Sequence, residues 1–327
     1  MRSSPATELP VSGDEASALY DRDRPRLRVA VAGAGGLIGS ALSASLTTGG
    51  HTVLRLVRKR ETAEVDEVVW DPERGPLQPR RLEDLDAVVY LAGANIAGGR
   101  WSERRKRVLV KSRVGAVSRL VAALGSLDKP PRTLVCASAI GFYGDCGERT
   151  VTEEAPPGEG FLADLARRWE EAAGAAGEWG ARVVLPRFSV VLSSRGGALA
   201  KMLPAFRFGL GGPLGGGRQL LSWVALDDAV GAVYHALWTE DLDGPVNVAA
   251  PEPLAQRDFA RVLGRVLRRP AFVPLSAMVL RLIFGEMAEE TLLASTGVSP
   301  ARLTETGYRF RHPELEGALR HELGLVA

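Results

Sequence analysis

Apolar and polar residues alternate along this chain with two different periods. Short apolar runs without a polar face are typical of strands covered on both sides, whereas apolar residues three or four positions apart are typical of helices. Helical spacing is present in segments such as 104–124 and 163–178. The strand-like runs occupy residues 29–32, 52–57, 67–70, 87–92, 133–137 and 182–185. This alternation predicts an α/β fold with a doubly wound parallel sheet.

The first strand-like run leads into a glycine-rich turn. Residues 29–39 read Val-Ala-Val-Ala-Gly-Ala-Gly-Gly-Leu-Ile-Gly, so Gly33, Gly36 and Gly39 stand between a strand and a helix. The first glycine would allow the turn, the second would let the backbone approach a pyrophosphate, and the third would let helix and strand pack closely. Free N–H groups at the helix start attract anions. The turn therefore predicts a dinucleotide site on a Rossmann-type sheet; a glycine-rich turn without a ligand is the alternative.

The end of the second predicted strand indicates which dinucleotide binds. An acidic residue there would hold the free ribose hydroxyls of NAD, but Arg58 and Lys59 follow the run 52–57. A guanidinium can hold a 2′-phosphate through paired, charge-assisted hydrogen bonds. The residues therefore favour NADP(H). The alternative is that Arg58, Lys59 and Arg60 form a solvated basic turn.

The overall composition is that of an ordinary enzyme-sized chain of 327 residues. The 41 basic and 39 acidic residues leave a net charge of +2, and no basic stripe interleaved with aromatic residues indicates a nucleic-acid partner. No apolar run reaches the roughly 18 residues that span a bilayer, and no apolar secretion signal stands at the amino terminus. We therefore expect a cytoplasmic protein without a nucleic-acid or membrane partner.

Cysteine and histidine usage predicts neither a disulfide nor a metal site. Cys136 and Cys146 are the two cysteines, and we expect both to be reduced and structural. The four histidines are scattered along the sequence without the close spacing that is typical of metal ligands. We therefore expect no metal.

Changes in composition divide the chain into four predicted parts. Residues 1–25 are polar and rich in Pro and Ser, which is typical of a disordered leader. Residues 26–190 are predicted to form the NADP-binding Rossmann domain. Residues 191–248 are a mixed segment whose glycine-rich part, 207–217, is interpreted as a substrate wall before the chain returns to the sheet. Residues 249–327 are expected to form a smaller, mainly helical substrate or cap region over the carboxyl ends of the strands.

Several further motifs appear in order along the chain. Leu91-Ala-Gly-Ala-Asn95 closes the fourth predicted strand, Ser138 stands in Ala-Ser-Ala-Ile-Gly-Phe-Tyr-Gly after the fifth, and Pro186-Arg-Phe188 follows the sixth. Together with the glycine turn, these motifs resemble the extended, epimerase-like branch of the short-chain dehydrogenase/reductase superfamily.

A closer resemblance extends from about Arg28 to the carboxyl terminus. On its motifs the chain is similar to the YfcH-like epimerase family proteins, whose carboxyl-terminal region is a characteristic domain of unknown function. The motifs are Arg113 in Lys-Ser-Arg-Val, Trp169-Glu170, Gly196-Gly-Ala-Leu199, the glycine-rich run 206–219, Ser222-Trp223 ahead of Asp227-Asp228, Asn247-Val-Ala-Ala-Pro251, Phe284-Gly-Glu286 and Gly307-Tyr-Arg-Phe310.

The resemblance implies an NADP(H) site and the residues that form it. The family's binding positions fall on the glycine turn, on the ends of the second and fourth strands, on one helical arginine and on the segment after the sixth strand. In this chain they are Gly33, Gly36, Leu37, Ile38, Gly39, Val57, Arg58, Leu91, Ala92, Arg113 and Val191. Arg113 interrupts an apolar helical face near the expected cofactor; the alternative is a surface arginine or a structural ion pair.

The resemblance also shows what this chain lacks. Reductases and epimerases of the superfamily normally use a Tyr that exchanges a proton with the substrate, a Lys four residues later and a Ser that orients the substrate. Ser138 matches the Ser. The helix that should supply the other two offers Phe161 with Leu165, or Leu162 with Ala166. Neither Phe nor Leu can transfer a proton.

Two other ionisable residues are candidates for the missing acid. Tyr143 follows Ser138 by five residues, and Asp164 lies on the atypical helix. We take Ser138 and Tyr143 as the catalytic hypothesis, with packing of Tyr143 in a loop as its alternative.

Two functions of different class stay open. One is an NADP-dependent oxidoreductase or epimerase that acts on an unidentified small hydroxyl or carbonyl substrate. The other is a non-catalytic NADP-binding sensor or scaffold that acts through a partner; the absence of Tyr-x-x-x-Lys favours it, whereas the predicted substrate wall favours the enzyme. The sequence is compatible with a homodimer.

Overall fold

The computed structural model describes residues 25–58, 65–73 and 79–325. The predicted leader therefore lies almost wholly outside the described residues, as does Lys59. Within the described part, the strands are Arg28–Ala32 (β1), Thr52–Val57 (β2), Glu67–Val69 (β3), Ala87–Tyr90 (β4), Thr133–Cys136 (β5), Ser138–Ala139 (β6), Thr150–Val151 (β7), Arg182–Phe188 (β8), Val190–Leu192 (β9), Leu220–Leu221 (β10), Trp223–Ala225 (β11), Gly244–Val248 (β12), Leu254–Ala255 (β13) and Gly297–Val298 (β14).

Helices connect these strands and form much of the carboxyl-terminal region. They are Leu37–Thr48 (α1), Glu103–Val110 (α2), Ala116–Gly125 (α3), Phe161–Gly174 (α4), Gly197–Arg207 (α5), Leu226–Trp238 (α6), Gln256–Leu267 (α7), Ala277–Phe284 (α8), Ala301–Glu305 (α9) and Leu315–Glu322 (α10). A π-helical turn, Lys111–Gly115, joins α2 to α3. No helix in the described ranges is long and apolar enough to cross a membrane.

The main sheet is parallel, in the order β12-β8-β5-β4-β1-β2-β3, with the short β6 also paired to β8. The chain moves outward from β1 to β3 and then returns to β4 on the other side of β1. Helices α1 and α6 pack together, as do α3 and α4. The predicted Rossmann-type fold is confirmed. Because the strand order reverses between β1 and β4, their carboxyl ends flank the crevice where such folds bind ligands.

Strand β8 runs three residues beyond the predicted end at residue 185. Its register pairs Val184 with Val135 and Arg187 with Ser138. Pro186 lies between these pairs and has no N–H to donate, so the neighbouring strand is interrupted between β5 and β6. The longer strand places Arg187 inside the sheet, whereas the sequence predicted it to follow the strand.

The carboxyl-terminal region is mainly helical, as predicted, and shares an apolar core with residues 190–225. Helices α5, α7 and α10 pack together with β9 and β11, and Trp223 and Phe259 are among the fully buried residues. Two short pairings tie this region to the remaining chain: β13 to β10 and β14 to β7. The buried carboxylate of Asp228 also accepts hydrogen bonds from the Arg311 and His312 amides, at 2.7 and 2.9 Å. These contacts hold the cap region beside the sheet.

Candidate functional site

A cavity of about 530 Å³ lies at the carboxyl ends of the strands. The glycine turn, helix α4, the segment after β5 and the carboxyl-terminal region all contribute to its walls. Eight of the predicted cofactor residues line it: Gly33, Gly36, Leu37, Ile38, Gly39, Leu91, Arg113 and Val191. Ser138 lines the same cavity, so the glycine turn and the superfamily serine face one space.

The glycine turn is closed by its own backbone. The Gly36 amide donates to the Gly33 carbonyl oxygen at 2.9 Å, and Gly33 has a φ of +84°, which favours glycine. A Cβ on Gly33 would lie 2.8 Å from the backbone of Leu91 and Ala92, and a Cβ on Gly39 would lie 2.1 Å from the Gly33 oxygen. Side chains are therefore excluded from two of the three positions.

Helix α1 begins at this turn without a side-chain cap. Gly36 is its N-cap residue, and the first turn of the helix has no acidic residue. The first N–H groups of the helix therefore have no side-chain acceptor there and lie at the positive end of the helix dipole. This arrangement is suited to an anion such as a pyrophosphate.

Three predicted cofactor residues lie outside the cavity wall: Val57, Arg58 and Ala92. Val57 ends β2, the strand beside β1, and Arg58 follows it with an exposed side chain. This position is at the open edge of the crevice, where the 2′-phosphate of an adenosine could meet a guanidinium.

Arg113 has a buried guanidinium in the π-helical turn. The residue is 9% exposed, and its Nη2 donates to the Ala94 carbonyl oxygen at 3.0 Å. Its guanidinium lies 5.1 Å from the ring centre of Trp169, and it contacts no carboxylate among the described residues. Burial lowers the pKa of Arg113 to about 10. The alternatives of a surface arginine or an ion pair do not fit this environment, which is suited to a cation awaiting an anionic ligand.

Ser138 belongs to a buried polar network. Its hydroxyl donates to Glu170 Oε1 at 2.6 Å, and Arg187 holds the same carboxylate with two N–H groups, at 2.8 and 2.7 Å. The Arg187 and Glu170 side chains are 4% and 10% exposed. This bidentate ion pair fixes the carboxylate and, through it, the serine hydroxyl.

The network also includes Tyr143, but outside the cavity. The Tyr143 hydroxyl donates to Asn247 Oδ1 at 2.7 Å and accepts from Arg187 Nη1 at 2.8 Å. Burial raises the pKa of Tyr143 to about 12. Tyr143 lines a separate cavity of about 320 Å³ with Cys146. The structure thus does not bring the Tyr143 side chain into the cavity that Ser138 lines, and a catalytic role for Tyr143 stays a prediction.

Helix α4 presents apolar residues where the superfamily carries Tyr and Lys. Leu162, Leu165 and Ala166 line the cavity, while Phe161 packs edge-on against Trp101 at 5.2 Å between ring centres. Asp164 is exposed and outside the cavity. Hydrogen bonds from Arg167 and Arg168 hold the pKa of Asp164 below its usual value. Asp164 is therefore a surface ion-pair residue, contrary to its candidacy as an acid.

Several residues that line the cavity were not identified from the sequence. Among these, Glu290 carries a charge. Its carboxylate accepts hydrogen bonds from the Phe161 and Leu162 amides, at 2.9 and 2.7 Å, and so caps the amino-terminal end of helix α4. Glu290 lies 128 residues after Leu162 in the sequence. Thr291, Thr296 and Ser222 line the same cavity. In sequence, Glu289-Glu290 has the pattern of an ordinary surface pair, so no local signal distinguishes the residue.

The histidines are less scattered in space than in sequence. His312 and His321 stack at 4.2 Å between ring centres, and His321 Nε2 lies 3.0 Å from Asp227 Oδ2. Ligating atoms of the three residues lie within 4.8 Å of one another, away from the main cavity. The expectation that the protein holds no metal stays a prediction.

Comparison with known proteins gives two family matches. Residues 29–249 match the model of the NAD dependent epimerase/dehydratase family, and residues 275–322 match a domain of unknown function, DUF1731. Epimerase family protein MT2273 of Mycobacterium tuberculosis is 45% identical over 291 residues, which cover 89% of this chain and 96% of that protein.

Two solved structures extend the comparison. The crystal structure of human epimerase family protein SDR39U1 with NADPH is 34% identical, with a TM-score of 0.84, and the match covers 92% of this chain and 100% of that one. A nucleoside-diphosphate sugar epimerase from Corynebacterium glutamicum is 34% identical with a TM-score of 0.76, covering 95% of this chain and 60% of that one.

Proposed function

Because the chain belongs to the NAD dependent epimerase/dehydratase family and carries the DUF1731 carboxyl-terminal domain, we propose that it is an NADP(H)-dependent oxidoreductase or epimerase. Its substrate is a small hydroxyl or carbonyl compound. The observation that carries this proposal is the single cavity that joins the glycine turn to Ser138. The NADPH-bound human relative supports the choice of cofactor.

The described residues fit a dinucleotide phosphate. The glycine turn leaves room for a pyrophosphate at the uncapped start of α1, and the buried Arg113 supplies a cation without a carboxylate partner among the described residues. Arg58, which follows β2 with an exposed side chain, is the residue proposed to hold the 2′-phosphate. The bound cofactor would supply hydride chemistry at its nicotinamide ring.

Ser138 is the residue that would contact the reacting oxygen of the substrate. Because the Ser138 hydroxyl donates its hydrogen bond to Glu170, its free lone pairs can accept a hydrogen bond from a substrate hydroxyl. A proton that leaves the substrate during oxidation can pass through Ser138 to the Glu170 carboxylate, which Arg187 holds in place. This serine and carboxylate pair replaces the missing Tyr and Lys in the proposal.

A non-catalytic NADP(H)-binding protein is the second candidate function. Leu162 and Ala166 favour it, since neither side chain can move a proton or contact a ribose through a charge. A homodimer, the absence of nucleic-acid and membrane partners, and a cytoplasmic location stay predictions; the free cysteines Cys136 and Cys146 are compatible with the last.

Titration calorimetry with NADPH and NADH tests the cofactor assignment. NADPH should bind at least ~10-fold more tightly, a difference of about 1.4 kcal/mol, because Arg58 meets the 2′-phosphate. Arg58→Ala should lose this preference while its NADH affinity, the internal control, stays unchanged. Equal affinities in the wild-type protein contradict the assignment. A panel of alcohols with NADP⁺ and carbonyl compounds with NADPH then separates the two candidate functions by hydride transfer.

A further inference from the structure

The hydroxyl groups that line the cavity all donate hydrogen bonds to other groups of the protein. Ser189 donates to the Val248 carbonyl oxygen at 2.8 Å, Ser222 to that of Thr296 at 2.9 Å and Thr296 to that of Gly144 at 2.9 Å. Thr291 donates to the Met287 oxygen at 2.6 Å, and Ser138 donates to Glu170. A hydroxyl that donates elsewhere can offer a ligand only its lone pairs. Ser222 also accepts a hydrogen bond from the Val298 amide at 2.9 Å, which uses one of its two lone pairs. These five positions therefore form an acceptor wall, in which Ser222 has the least remaining capacity.

Glu290 adds a negative charge to this wall. Among the described residues that line the cavity, Arg113 and Glu290 are the charged ones. Arg113 lies against Ala94 and Trp169, near the strand end beside the glycine turn, so its charge faces the cofactor side. Glu290 comes from the carboxyl-terminal region and meets the start of helix α4. Each of its oxygens accepts one backbone hydrogen bond, and a carboxylate oxygen has room for a second donor.

The remaining lining is mostly apolar. Leu162, Leu165 and Ala166 from helix α4 and Leu220 and Leu221 from β10 all line the cavity. Such a surface accommodates a hydrocarbon framework and offers no cation to a phosphate or carboxylate on the substrate side.

On these observations we infer that Glu290 is a substrate-binding residue and that the substrate is a hydrogen-bond donor. It carries a hydroxyl or amino group on a small, otherwise apolar framework, and it is uncharged or has a single positive charge. A nucleoside diphosphate sugar does not fit, because its diphosphate needs several donors or cations and the acceptor wall supplies none. This inference rests on the proposed function only in requiring that the cofactor occupy the glycine-turn side of the cavity.

Three probes with one ring and different polar groups test the inference: benzylamine, benzyl alcohol and benzoate. Their binding to the NADP⁺-saturated protein can be measured by ligand-observed NMR titration. Benzylamine should bind at least ~10-fold more tightly than benzoate, with benzyl alcohol between them, because a buried charge-assisted hydrogen bond exceeds a neutral one. UDP-glucuronic acid should not compete with benzylamine.

Glu290→Gln and Glu289→Gln form a matched pair of variants. Glu289 is the adjacent residue, but its carboxylate pairs with Arg281 on the surface. Glu290→Gln should lower the affinity for benzylamine about 10-fold and that for benzyl alcohol by less than about threefold, whereas Glu289→Gln should change neither. A role confined to capping helix α4 would lower the melting temperature without changing the ranking of the three probes.

The outcomes separate this inference from the proposed function. Tightest binding of benzoate or UDP-glucuronic acid overturns the inference, and so does an unchanged benzylamine preference in folded Glu290→Gln. If Glu290→Gln does not fold, the ranking of the three probes in the wild-type protein tests the inference instead. Failure of all three probes to bind also overturns the inference. If the probes follow the expected ranking but no alcohol or carbonyl compound supports hydride transfer, the proposed reaction fails while the inference stands.

Discussion

The two sides of the cavity are built in opposite ways. The cofactor side comes from one continuous stretch, in which Gly33, Gly36 and Gly39 shape a turn between β1 and α1. The substrate side gathers Ser138, Ser222 and Glu290 from distant parts of the chain. On the first side, function depends on the absence of side chains. On the substrate side, function depends on polar side chains that already form hydrogen bonds with other groups of the protein.

Because of this difference, different kinds of substitution disrupt the two sides of the cavity. The continuous turn is disrupted when an added side-chain atom collides with neighbouring backbone, because the packed backbone cannot move independently. A gathered wall fails when one partner of a buried network is lost, because the other partner keeps its desolvation penalty.

The largest effect is expected in the buried network under Ser138. Glu170→Gln leaves the Arg187 charge buried without its partner and should lower the free energy of unfolding by about 3 kcal/mol. Glu171→Gln is the matched control, because Glu171 is 60% exposed and pairs with Arg167 on the surface, where the loss should stay below about 1 kcal/mol. Urea unfolding measures both. Equal losses would show that the Glu170 pair is no stronger than a surface pair.

A smaller effect is expected at the glycine turn. Gly39→Ala places a methyl group 2.1 Å from the Gly33 oxygen and should lower the unfolding free energy by about 2 kcal/mol, because helix α1 must move away from the turn. The same displacement should abolish NADPH binding in calorimetry. Gly35→Ala is the control for stability, since its methyl group would meet open space. A Gly39→Ala variant with normal stability and affinity contradicts this account of the turn.

The smallest effect is expected at Tyr143. Tyr143→Phe removes one hydroxyl from between Arg187 and Asn247 and should lower the unfolding free energy by about 1 kcal/mol. Because the hydroxyl lies outside the main cavity, turnover of any substrate found should change by less than about threefold, whereas loss of a general acid would lower kcat on the order of 100-fold. Steady-state kinetics distinguishes the two, and the larger loss would return Tyr143 to the reaction.

Much of the fold was predictable because its signals are local. Apolar runs located β1, β2 and β4 to within two residues, and the glycine spacing identified the turn. The end of β8 was missed because Pro186 reads as a strand terminator, whereas here it lies where the neighbouring strand is interrupted. Local signals could not reveal this arrangement, since it depends on the register of two strands.

The substrate side was predictable only in part. Ser138 was identified because it lies in a recognisable motif. Glu290 could not be found, because its contacts with Phe161 and Leu162 join residues 129 and 128 positions apart. The cavity that Tyr143 lines could not be predicted either, because proximity to Ser138 in sequence does not specify which cavity a side chain faces.

Glu290, from the carboxyl-terminal region, caps the amino-terminal end of helix α4, and this has a consequence for biosynthesis. Every strand of the main sheet precedes residue 249, so the glycine turn and its sheet can form before Glu290 and β14 have been translated. Domains commonly fold as the chain emerges, and a ligand that binds only folded protein stabilises it. We therefore expect a nascent chain to become competent for the dinucleotide first. Only the last part of the polypeptide would then enclose the space beside it.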